Sequence, residues 1–155
     1  MMKIGIITVS DRSFKKQRED LSGPLTKKMV SNLGEVVDYR IVPDDRLIIS
    51  RTIRELIDEA KVDLVLTTGG TGLSSRDVTP EATEDVIEKT LPGFGEIIRV
   101  KGFEKTPHAL LSRAIAGVRK KSLVINLPGS PKAVRESLEL ILPAIPHALE
   151  IIKGP

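Results

Sequence analysis

The residues from Leu66 to Thr83, LTTGGTGLSSRDVTPEAT, combine three glycines in four positions, an arginine–aspartate pair and a Thr-Pro helix opening. Glycine has no side chain, so Gly69, Gly70 and Gly72 let backbone amides approach a ligand and permit positive φ. Between a buried strand and a helix, such a turn can cradle phosphate or another anion, or serve as a plain connection. No Gly-Lys-Ser/Thr ends it, as a P-loop requires, and the third glycine of a dinucleotide fingerprint is missing. Arg76 offers a fork that matches phosphate oxygens. Asp77 beside it can hold Mg²⁺ together with substrate phosphates, pair with Arg76 on the surface, or face the dipole of the following helix.

Other segments offer partners for this chemistry. Asp44 and Asp45 stand between a strand and a helix; one is expected to cap the helix, leaving the other to face a cleft. Asp11, with Ser10 beside it, ends the first apolar run and can either meet a ligand or form a turn. Convergence of these carboxylates from separate strand ends would create a divalent-ion site. LPGSP, Leu127 to Pro131, is a second glycine turn opening onto a helix. Ser130 reads first as a helix cap, yet Gly129 and Ser130 can also present amides to an anion. His108 and His147 are isolated, which argues against zinc. Without cysteine, thiolate ligands, cysteine nucleophiles and disulfides are excluded. Neither a Gly-x-Ser-x-Gly elbow nor an H-E-x-x-H pattern is present.

These residues need a scaffold, and the chain alternates strand-like and helix-like segments. KIGIITVS, Lys3 to Ser10, suits a buried strand; Asp11 to Ser22 is aperiodic and is expected as a loop. Ser22-Gly23-Pro24 opens a helix that Gly34 is expected to close. Val36 to Val42 is a second strand. Ile49, Ile53, Leu56, Ile57 and Ala60 fall on one helical face. Val62 to Thr68 returns to strand character and runs into the glycines. Thr79-Pro80 starts a helix to about Lys89, broken by Pro92-Gly93, and Thr106-Pro107 starts another carrying Leu110, Leu111, Ala114 and Val118. Leu123 to Leu127 is a further strand, and Ser130-Pro131 opens a last helical region interrupted by Pro143 and Pro146. The pattern predicts an α/β fold: a single-domain three-layer α/β/α arrangement over residues 1–155 with a mainly parallel sheet. Ligands in such folds sit outside the carboxyl ends of the strands.

Composition narrows the function. No segment approaches the ~20 apolar residues of a membrane span, and the N-terminal apolar run is too short for a signal peptide, so a cytoplasmic location without membrane attachment is expected. The formal net charge is +3, but the basic residues are scattered and only one Tyr and three Phe are available to stack bases. That combination argues against nucleic acid and favours a small anionic ligand. Leu140, Ile141, Leu142, Ile145 and Leu149 supply more apolar surface than a terminal surface helix needs, which suggests self-association.

TTGGTG followed by RDVTPEAT, ITVSDR near the start, VPDD after the second strand and NLPGSPKAV near the end resemble the MogA/MoaB family of molybdenum-cofactor biosynthesis, which includes the gephyrin G domain. The resemblance spans essentially the whole chain. It implies a Mg²⁺-dependent transfer of AMP from ATP to the terminal phosphate of molybdopterin, releasing pyrophosphate. It further implies a homotrimer or dimer of trimers and hand-over of product to a MoeA-like molybdenum-insertion protein. By motif, Asp77 and Asp44 match the family's functional, metal-binding aspartates, and Gly69, Gly70, Thr71 and Gly72 match its ligand-binding loop. MoaB-type members share these motifs, so a pterin binder without efficient transfer stands as the alternative; a gephyrin-like scaffold would need segments not seen here.

Overall fold

In the computed structural model, which describes residues 1–155, the first apolar run forms β1 (Met2–Val9). One helical turn, α1 (Asp11–Phe14), follows directly where a loop is expected, because Ser10 caps it: its Oγ accepts from the Ser13 amide at 3.1 Å. Next come α2 (Ser22–Met29) and β2 (Gly34–Val42). Gly34 thus starts a strand and does not close the helix; a side chain there would collide with the backbone of Met2, its partner across the sheet. The periodic segment forms α3 (Arg46–Arg54), continued by a π-helical stretch Glu55–Glu59. β3 (Leu64–Thr68) leads through the glycine turn to α4 (Thr79–Glu84).

The following region departs most from the sequence expectation. α4 stops early, and a two-residue strand, β4 (Lys89–Thr90), intervenes. Pro92-Gly93 opens α5 (Pro92–Phe103) and does not break a helix; proline in a first turn removes an N–H that has no helical partner anyway. From Thr106 there is only a 3₁₀ turn, Pro107–Leu111, and Val118 lies in β5 (Ala116–Arg119). β5 forms a hairpin with β6 (Ser122–Leu127), closed at the pair Arg119 and Ser122. Lys120 takes a φ of 52° in that turn, a conformation usually signalled by Asn or Gly. Without that signal, the apolar spacing of Leu110, Leu111, Ala114 and Val118 imitates a helix. The chain ends with α6 (Pro131–Ile141), a 3₁₀ turn Leu142–Ala144 and α7 (Ile145–Lys153).

The strands form one sheet in the order β2-β1-β3-β6-β5-β4. The first four are parallel, and the β5 pairings are antiparallel. Both faces are covered, which explains apolar runs without alternation. Ile4, Ile6, Leu64, Leu66, Ile125 and Leu127 pack with Val134, Leu138 and Ile145 on one side. Ile7, Val9, Val65 and Val124 pack with Ile49, Ile53 and Leu56 on the other. Each such side chain stabilises the fold by ~1.5–3 kcal/mol relative to exposure. Ile141, Ile145 and Leu149 belong to this core, so they are not the surplus surface expected from sequence. Val100, Phe103, Leu110 and Leu111, on α5 and the turn after it, are each at least half exposed, as are Met1, Phe14, Leu21, Leu47, Leu73 and Ile151 elsewhere. No helix is long and apolar enough to cross a membrane.

Candidate functional site

The connection after β1 runs to one side, to β2, whereas the connection after the adjacent β3 runs to the other, toward β4, β5 and β6. That reversal opens a crevice beyond the strands' carboxyl ends. A cleft of about 590 Å³ occupies it, walled by Ser10, Asp11, Asp44, Gly69, Gly70, Arg76, Asp77, Gly129 and Ser130. All four strand ends therefore converge as expected.

The two glycine turns form its floor. Gly69 and Gly70 have φ of 91° and 70°, where a side chain would be strained. The Gly69 amide donates to Leu127 O at 3.1 Å, which docks the first turn on β6. Thr79 staples it from the other side: its Oγ1 donates to Gly69 O at 3.0 Å and its amide to Gly70 O at 3.1 Å. A Cβ on Gly129 would lie 3.4 Å from Gly69 Cα, so the turns abut. Ser22 Oγ donates to Gly129 O at 2.7 Å, and Ser130 caps α6 through the Ala133 amide. Thr71 and Gly72 do not reach the cleft wall; Thr71 is buried, and Gly72 backs onto the Asp77 carboxylate.

The aspartates divide their work. Asp45, not Asp44, caps α3, accepting from the Ile48 amide at 3.0 Å. Asp44 Oδ2 accepts from the Asp11 amide, while its Oδ1 has no protein donor. Burial, aided by the charges of Asp11 and Asp77, pushes the Asp44 carboxyl above its ordinary value. Asp77 Oδ2 accepts from the Ser74 amide at 3.0 Å, and its Oδ1 also lacks a protein donor. Arg76 does not pair with Asp77. It forks onto Asp11, with Nε to Oδ2 and Nη2 to Oδ1 both at 3.0 Å. That hydrogen bonding, with the Asp44 amide, holds Asp11 below the usual carboxylate range. The carboxylates do not form a preassembled cluster of three. Two open oxygens on half-buried, mutually repelling carboxylates do fit Mg²⁺, which usually takes one or two carboxylates and completes its shell with phosphates and water.

The family described as "Probable molybdopterin binding domain" matches residues 5–147. The chain belongs to the MogA/MoaB family. A molybdopterin adenylyltransferase of Helicobacter pylori (strain ATCC 700392 / 26695) is 49% identical over 154 residues, covering 97% of this chain and 88% of that protein. One from Escherichia coli K12 is 36% identical over 169 residues, with 99% and 87% covered. The solved structure of the molybdopterin biosynthesis enzyme MoaB from Thermus thermophilus has a TM-score of 0.94 at 46% identity, covering 100% of this chain and 98% of that one.

Sequence reasoning missed several cleft residues of this MogA/MoaB-family chain. Arg12 and Arg18 line the cleft without an acidic partner, so they are its available cations, whereas Arg76 is already engaged. Both stand in a segment read only as a loop. Asp20 also lines the cleft, but its carboxylate is saturated by Thr8 Oγ1 at 2.7 Å, the Ser22 and Gly23 amides at 3.1 Å, and the Tyr39 hydroxyl. Burial, then Asp20, pushes that phenol up to about 12. A second cavity of about 590 Å³ lies between α5, the Pro107–Leu111 turn and α6. In its lining Lys101 pairs with Glu104 and Lys105 with Glu136, and of the two glycine turns only Pro128 reaches it. The strand-end cleft, which gathers the carboxylates and both glycine turns, is the candidate site.

Proposed function

We propose that this chain is a molybdopterin adenylyltransferase in molybdenum-cofactor biosynthesis, using Mg-ATP and releasing pyrophosphate. The observation that carries the proposal is the meeting of both glycine turns and two open carboxylates in one cleft at the sheet's switch point. An oxygen of the molybdopterin phosphate would attack the α-phosphorus of ATP, forming one P–O bond as the bond to pyrophosphate breaks. Both reactants are anionic, so positioning and charge neutralisation are the main requirements. Asp44 and Asp77 would hold Mg²⁺, which offsets negative charge on the phosphates. Arg12 and Arg18 face the same cleft and would meet phosphate oxygens, and the turns at Gly69–Gly70 and Gly129–Ser130 would bring backbone amides against both substrates. Arg76 serves chiefly to anchor Asp11. No strong nucleophile is required of the protein.

Residues 1–155 act as one molybdopterin-binding unit in this reading, placed in the cytoplasm and delivering product to a MoeA-like insertion protein. A homotrimer or dimer of trimers would cover the apolar residues of α5 and the turn after it. Incubating purified protein with molybdopterin and Mg-ATP tests the activity: adenylyl-molybdopterin and pyrophosphate should form together. The 46% identity to a MoaB chain favours one second reading, a molybdopterin binder without efficient transfer. Calorimetry separates the two. A passive binder would take up molybdopterin equally well without Mg²⁺ and would show no ATP binding even with pterin present.

A further inference from the structure

The segment between β3 and α4 has no regular secondary structure from Gly70 to Val78, yet it must hold the Asp77 carboxylate still. Part of the restraint is local: Ser74 and Asp77 exchange hydrogen bonds, amide to Oδ2 and amide to carbonyl. The rest comes from Arg113, distant in sequence, on the connection between the Pro107–Leu111 turn and β5. Its Nε donates to Gly72 O at 2.8 Å and its Nη2 to Asp77 O at 2.8 Å. Nη1 donates to Glu81 Oε2 at 2.6 Å, and Nη2 also reaches Glu81 Oε1 at 3.2 Å. The Arg113 amide adds a bond to Thr71 O at 2.9 Å. One residue thus grips the beginning of the loop, its end and the first turn of the helix that follows.

We infer that Arg113 is a positioning residue for adenylyl transfer: it never faces the substrates but fixes the backbone from which Asp77 projects. The inference rests on the proposed role of Asp77. Arginine suits the task because its planar fork can serve two carbonyls and a carboxylate at once; lysine, a single point donor, cannot span them. Its side chain is 36% exposed, so water can solvate the carbonyls that a substitution releases, and the global fold should survive. Local precision should not. Groups that orient metal-binding side chains from behind typically affect affinity or activity by ~10–100-fold when replaced.

The test uses Arg113→Gln and the milder Arg113→Lys in the full chain, so that a folding failure of the first leaves the second informative. In Arg113→Gln, kcat for adenylyl transfer should fall by about 10²-fold and the Mg²⁺ concentration for half-maximal rate should rise by about tenfold, with the KM for ATP little changed. Arg113→Lys should fall between it and wild type. Hydrogen exchange in the substrate-free protein should accelerate at amides 71–78 while β3 and β6 stay protected. Accelerated loop exchange with wild-type turnover and Mg²⁺ dependence would overturn the positioning role and spare the transferase reading. Unchanged loop exchange in both variants would overturn the clamp itself. A wild-type protein without transfer would defeat the underlying reading, and the exchange measurement would then still decide whether Arg113 holds the loop.

Discussion

Asp11 and Asp44 cap each other: the Asp44 amide donates to Asp11 Oδ1 at 2.9 Å and the Asp11 amide to Asp44 Oδ2 at 3.0 Å. This reciprocal pair locks the ends of β1 and β2 together and turns Asp44 Oδ1 toward the first glycine turn, where a Cβ on Gly70 would lie 3.2 Å from it. The relationship separates two kinds of carboxylate at the site. Asp11 is neutralised by Arg76, whereas Asp44 and Asp77 have no cation partner in the protein.

Asp77→Asn is therefore expected to fold normally and lose at least ~10²-fold in adenylyl transfer, the scale of one strong electrostatic contact. The asparagine oxygen can still accept from the Ser74 amide, so only the charge is removed. Turnover close to wild type at ordinary Mg²⁺ would reduce Asp77 to a loop-forming residue.

Arg18→Ala should raise the KM for ATP or for molybdopterin by about tenfold or more, as loss of a hydrogen bond to a charged group does, with melting temperature unchanged. The reason is its place in the cleft wall without an acidic partner. Steady-state kinetics with each substrate varied in turn assigns Arg18 to one of the two anions; KM values equal to wild type for both would remove it from the site.

Gly70→Val should abolish substrate binding and destabilise the fold by roughly 1–3 kcal/mol, since it forces a β-branched residue into a left-handed conformation. The side chain would also press on Thr79 Oγ1 and the Asp44 carboxylate. Circular dichroism and melting curves should accompany calorimetry. Gly93→Ala is the matched control, because a Cβ there meets nothing within 4 Å.

The exposed apolar residues on α5 and the following turn predict self-association. Light scattering at micromolar concentration should report a trimer or hexamer, and Val100→Glu combined with Leu110→Glu should shift it toward monomer. Both side chains are at least 60% exposed, so the substitutions do not disturb the core. A wild-type monomer under these conditions defeats the oligomer assignment.

Asp58 supplies the test of pH. The Arg119 guanidinium, then Lys120, pulls its carboxyl down to about 2. A depressed folded value contributes stability that is complete above the ordinary aspartate value and lost as pH falls through the folded one. Asp58→Asn should therefore cost about 1–2 kcal/mol at neutral pH, discounted for the water that reaches the pair. The difference from wild type should narrow at about pH 3, read from urea denaturation at both conditions. A gap that stays constant with pH would show that the ion pair contributes nothing.

What the sequence by itself determined is the backbone state of its strongly patterned segments and the ligand-bearing strand ends. α3 was legible because Ile49, Ile53, Leu56 and Ile57 form one face, and the two glycine turns because each separates an apolar run from a helix opening. Rules of parallel-sheet architecture then place Ser10, Asp11, Asp44, Gly69, Gly70, Gly129 and Ser130 around one crevice. The tertiary structure alone decided partner choice. It assigned the α3 cap to Asp45 and the open oxygen to Asp44, gave Arg76 to Asp11 across 65 residues, and set Arg113 behind Asp77 across 36. It also turned the stretch after Thr106 into a hairpin, through a Lys120 conformation that residue type does not announce. Periodicity and turn chemistry act between near neighbours along the chain. Which charges meet depends on the register of β1, β2 and β3 in the sheet, and no local pattern encodes that register.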